Sequence, residues 1–197
     1  MNRLFVAAAL LVMVFSCSVE QNKIYSLNIS SFENVSTTGV TDVSLGILVT
    51  APKYLSQPYL SHRSTPYELT TELYSKWEAP PVKMISENFR NALYDLTFFK
   101  DVRILTVQRR DYYCLKINLR RFERFNYNTP LQGVVEFDYD LFTPDDKNIL
   151  HGVFSQKSPL SDKSFTALAE SLSIALKDAL TQIVPKVKEE ILSRQQR

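Results

Sequence analysis

Glycine is scarce in this chain. Gly39, Gly46, Gly133 and Gly152 are the only four in 197 residues, and no two lie close together. Neither a phosphate-cradling loop nor a dinucleotide fingerprint can be built from isolated glycines. Histidine is scarcer still: His62 and His151 sit in unrelated settings, and there is no HExxH or CxxC. A zinc site would need scattered carboxylates, so no metal and no cofactor is expected. No G-x-S-x-G nucleophile elbow is present, and no catalytic residue is assigned; the chain reads as a non-enzyme. Net charge is only +2, without the basic footprint of a nucleic-acid binder. The local clusters Arg109-Arg110 and Arg120-Arg121 with Arg124 have carboxylates interleaved and read as solvated faces.

What is present begins with an address. Met1-Asn2-Arg3 supplies a positive start, and residues 4–15 are an uninterrupted apolar run. Twelve helical residues span about 18 Å, short of the ~30 Å hydrocarbon core, so the run reads as a secretory signal rather than a membrane span. Val14-Phe15-Ser16-Cys17 resembles a bacterial lipobox, with a bulky Phe15 at the second position. The competing reading is an ordinary signal peptide with a coincidental cysteine. On the lipobox reading, residues 1–16 are removed, Cys17 is the lipid attachment site, 17–22 is a lipidated tether, and 23–197 is a single domain. Three acyl chains exceed the threshold for stable membrane residence. By resemblance to bacterial lipoproteins, Ser18 after the cysteine points to the outer membrane, facing the periplasm. Cys114 is then the only thiol left, so no intrachain disulfide can form. A lone thiol in a strand reads as a small buried hydrophobe, not a nucleophile.

The hydrophobic fraction of 45% supports a real core, and 22% charged residues is ordinary for a globular domain. Residues 52–81 are too rich in proline and aromatics for a helix and too long for an idle loop. Tyr54, Tyr59, Tyr67, Tyr74 and Trp77, with Leu55 and Leu60 beside them, each offer large apolar area and, for the aromatics, a polar handle. A short hairpin about Thr70-Thr71-Glu72 is expected inside this segment.

Around it, residues 23–27 read as a first strand. Val43, Leu45, Ile47 and Val49 alternate as a second. Pro80-Pro81 opens a helix, since first-turn amides have no partner to lose, and Val82, Ile85, Phe89, Leu93 and Leu96 mark its apolar face. Residues 102–107 form a strand. Two longer strands follow, with Tyr113, Leu115, Ile117 and Leu119 on one face of the first and Val135, Phe137, Tyr139 and Leu141 on one face of the second. Paired antiparallel about residue 128, they set Leu115 on Leu141, Ile117 on Tyr139 and Leu119 on Phe137. The same register sets Lys116 on Asp140, Asn118 on Asp138 and Arg120 on Glu136. Glu136, Asp138 and Asp140 share a strand face, the arrangement of a cation site or carboxylate cluster; pairing with Lys116 and Arg120 explains them more simply. A strand over 149–156 leads to a long helix, capped by Ser161 or Asp162 and kinked or interrupted near Thr181 by Pro185. The fold class is α+β: a two-layer sandwich of a mostly antiparallel sheet with two main helices on one face.

One pattern is more specific. Pro52-Lys53-Tyr54-Leu55, then Pro58, Leu60 and Arg63, then Tyr67-Glu68-Leu69, resembles the signature of the ABC-type transport auxiliary lipoproteins, the PqiC-like family. Trp77-Glu78-Ala79-Pro80 continues it with the middle two positions exchanged. The resemblance implies a lipoprotein that accompanies MCE-domain transporters moving lipids between inner and outer membranes, with no catalytic residues to carry over. It implies contact with the membrane through the anchor, and with an MCE-domain component or another copy of the chain. Tyr54, Leu55, Tyr59, Leu60, Arg63 and Trp77 are the candidates for organising the core or meeting the partner. The alternative is an accessory lipoprotein of another envelope machine, such as lipopolysaccharide assembly or a cell-wall synthase.

Overall fold

A computed structural model describes residues 21–29, 41–127 and 130–195. The signal segment, Cys17 and most of the tether lie outside them, as do most of the polar stretch before the second strand and the middle of the 126–130 turn. The strands are β1 (Lys23–Tyr25), β2 (Ser44–Thr50), β3 (Tyr59–Thr65), β4 (Glu68–Trp77), β5 (Asp101–Ile104), β6 (Tyr113–Phe125), β7 (Gln132–Phe142) and β8 (Asn148–Pro159). The helices are α1 (Pro81–Asp95) and α2 (Phe165–Gln195), and a short 3-10 turn covers Lys53–Ser56.

The sheet is mixed and mostly antiparallel, and β6 is its axis. On one edge β6 pairs along its whole length with β7, which pairs with β8, both antiparallel. The other edge is divided. β2 runs parallel to its first half and carries β5 beyond it. β3 runs parallel to its last residues and carries β4 and then β1. Both helices cover one face. Ile85, Phe89 and Leu93 of α1 and Leu168, Leu172, Leu176 and Ile183 of α2 join Leu115, Ile117, Leu119 and Phe137 of the sheet in one buried cluster. This is the α+β sandwich that the two periodicities predict.

The β6–β7 register matches the expected pairs from Leu115–Leu141 to Leu119–Phe137. It then departs by one residue: Arg121, not Arg120, lies opposite Glu136. Arg120 is the extra residue of a β-bulge, which reverses the facing of everything after it. Phe122 therefore enters the core against Trp77, ring centroids 5.4 Å apart, and Glu123 points to the opposite face.

Three further expectations need correction. The hairpin turns at Pro66-Tyr67, not at Thr70-Thr71-Glu72. Pro66 pre-sets the turn, and the Thr65 hydroxyl accepts the amides of Tyr67 and Glu68. The cap of α2 is Ser164, whose Oγ accepts the Ala167 amide at 3.0 Å, while Asp162 holds the Ser164 amide at 2.6 Å. Finally, Pro185 does not interrupt α2, which continues through it as one 31-residue helix. A helix packed along its length on a sheet can tolerate the one backbone bond that proline removes.

Candidate functional site

The two ladders on the divided edge of β6 stop short of each other. β2 pairs as far as Asn118, and β3 begins at Arg124. Between them, among the described residues, Leu119 to Glu123 have no strand partner on that edge. The proline-bounded start of the 52–81 segment fills the gap. Pro52 carbonyl accepts the Leu55 amide at 3.0 Å, closing the 3-10 turn. Leu55 points into the core, 1% exposed, and Tyr54 lies over β6. Its Oη shares its proton between Glu123 Oε2 at 3.0 Å and the carbonyl of the bulged Arg120 at 3.2 Å. The bulge thus supplies an acceptor as well as a change of facing.

Arg63 closes the cluster from β3, donating Nε to Glu123 Oε1 at 2.6 Å. The Glu123 side chain is fully buried and that of Arg63 is 19% exposed. Burial raises the Tyr54 phenol well above its ordinary pKa, and the charge and hydrogen bond of Glu123 add to the shift. Burial opposes the charge on Arg63, but the Glu123 carboxylate prevails and raises the guanidinium pKa. A buried ion needs pairing and hydrogen bonds to be tolerated, and both oxygens of Glu123 are engaged. The chemistry available is that of a lock: the Glu123 carboxylate ties β6 to two points of the 52–81 segment, 60 and 69 residues earlier in the chain.

Of the candidates, the structure brings Tyr54 and Arg63 together on Glu123. Leu55, Leu60 and Trp77 go to the core, with the Trp77 amide donating to the Pro58 carbonyl at 2.7 Å. Tyr59 lies apart, with Lys76 Nζ 5.4 Å from its ring. The family motif does not include Glu123, whose partners are 60 and 69 residues away. The available signal is Arg120-Arg121 between Leu119 and Phe122, where strict alternation loses its step.

The acidic strand face is cross-linked. Arg120 reaches Asp138 at 2.5 Å, and Arg121 lies 3.6 Å from Glu136. Asp140 is held by His151 and Asn148, each at 2.8 Å, while Lys116 stands over the Phe142 ring. Arg124 corrects the reading of a solvated basic cluster. It is buried, donates to Asn126 and to the Lys163 carbonyl, each at 2.7 Å, and covers the Phe165 ring. Its alternation-breaking position after the bulge puts it on the helix side.

A family model described as ABC-type transport auxiliary lipoprotein component matches residues 25–184. The chain belongs to this family. Among solved structures, protein XCC0632 of Xanthomonas campestris, a DUF330 protein, superposes with a TM-score of 0.77 at 22% identity, covering 89% of this chain and 100% of that one. A structure described only as an uncharacterized protein gives 0.66 at 12% identity, covering 85% and 99%. At those identities the likeness is one of fold. No curated protein sequence matches the chain. The family range takes in the lock residues Tyr54, Arg63 and Glu123, and Cys17 lies ahead of it.

Proposed function

We propose that this auxiliary lipoprotein is a non-enzymatic subunit of an MCE/ABC-type intermembrane lipid transport system, anchored through Cys17 and facing the periplasm from the outer membrane. The observation that carries this is family membership over residues 25–184, joined to the Val14-Phe15-Ser16-Cys17 motif just upstream. The mode of action is contact. The buried carboxylate of Glu123 has both oxygens bound within the protein, which suits a scaffold better than a reagent. The test is cross-linking in intact cells, followed by purification of the tagged chain from membranes and identification of its adducts. An MCE-domain protein among the adducts supports the reading. Adducts confined to a lipopolysaccharide-assembly protein or a cell-wall synthase would replace it with the other envelope role.

A further inference from the structure

β1 and β4 run parallel, with Lys23 opposite Ser75 and Tyr25 opposite Trp77. Backwards along β1 is therefore the direction of the β3–β4 hairpin tip. Cys17 is six residue steps from Lys23, a reach of at most about 20 Å when fully extended. Six residues of strand, from Ser75 back to Leu69, cover about the same length. An acylated thiol can therefore reach no farther along the sheet than about the level of Leu69, two residues short of Tyr67 at the tip.

The outer edge of β4 exposes apolar side chains from the hairpin tip back to β1, where Ile24 lies opposite Lys76. Tyr67 at the tip is 96% exposed, Leu73 67%, Tyr74 47% and Ile24 72%. The turn after β6, at the level of the tip, adds Tyr127, stacked on Phe125. Tyrosine suits a membrane–water interface because its ring is apolar and its hydroxyl is wet. A protein partner on this end would have to fit within the reach of the six-residue tether, whereas a bilayer surface is already there.

We propose that the β3–β4 hairpin tip at Pro66-Tyr67, with Leu73, Tyr74 and Ile24 along the adjoining edge, rests on the phospholipid surface and sets the orientation of the domain. This rests on acylation at Cys17. The anchor fixes distance, and the hairpin fixes tilt.

The test uses the acylated full chain on vesicles of phosphatidylethanolamine and phosphatidylglycerol, with and without brominated acyl chains. Trp77 is the native tryptophan and is buried, so it supplies a constant background. Tyr67→Trp and, as a second position, Leu73→Trp place a probe at the tip and on the edge. Val107→Trp places one in an exposed loop leading into the start of β6, at the other end of the sheet. The expected result is that brominated lipid quenches the added emission at positions 67 and 73, placed at the depth of interfacial aromatics, and leaves that at 107 unchanged. Vesicle-bound protein with no quenching at 67 and 73, or with equal quenching at 107, overturns the orientation and leaves the anchor standing. Protein that fails to bind vesicles overturns both.

Discussion

Arg63 and Glu123 meet edge to edge across the sheet, Nε to Oε1 at 2.6 Å, with the carboxylate sealed from solvent and Tyr54 over its second oxygen. A buried charge left without its partner costs far more than the pair contributes. Arg63→Ala is therefore expected to lower stability by about 3–5 kcal/mol, the range for breaking a buried pair. Tyr54→Phe, which removes one hydrogen bond to the same carboxylate, is expected to cost about 1–3 kcal/mol. Urea unfolding of the Cys17→Ser background reads both, and the double variant should lose less than the sum. Single variants within about 0.5 kcal/mol of the parent, the usual range for surface changes, would contradict the lock.

The bulge at Arg120 carries a second prediction. Without the extra residue, strict pairing would turn Phe122 away from Trp77 and drive Glu123 toward the helices. Deleting Arg120 should abolish cooperative folding, whereas Arg120→Ala keeps the backbone bulge and its carbonyl acceptor and loses the two ion pairs of a half-exposed guanidinium, with Asp138 and Glu136, worth about 0–1 kcal/mol each. Thermal unfolding followed by circular dichroism separates them. A deletion that melts like the parent would show that the bulge does not set the facing.

These two features also mark where the sequence could and could not be read. The β6–β7 register is legible because apolar and charged residues alternate in step from Leu115 to Leu119 and again in β7. It slips at Arg120, where the extra residue shows only as two arginines side by side between Leu119 and Phe122. Hydrophobic spacing likewise places α1 and α2, but the cap passes from Ser161 or Asp162 to Ser164, because several oxygen-bearing side chains precede that helix. Tyr54 and Arg63 are picked out by the proline-rich motif. Glu123 is not, since only tertiary packing brings it to them. The parallel pairing of β2 and β3 with one shared edge is a long-range arrangement that no local pattern encodes.

Cys114 gives a pH prediction. Burial pushes its thiol up to about 11, against about 8.5 for an exposed cysteine. The folded state thus holds its proton more tightly than the unfolded chain. The contribution to stability is complete below about pH 8.5 and is lost as pH rises toward 11. Stability of the parent should fall relative to Cys114→Ala over that window, and alkylation of the native thiol at pH 8 should be far slower than in urea. A pH-independent difference between the two proteins, with rapid native alkylation, would contradict the burial account.

The claim on which the functional reading turns is that Cys17 carries the lipid anchor. Membrane fractionation of the full chain and its Cys17→Ser variant tests it most directly. The account predicts that the parent sediments with membranes and the variant is recovered folded in the soluble periplasmic fraction. A variant that sediments with membranes as the parent does would contradict it.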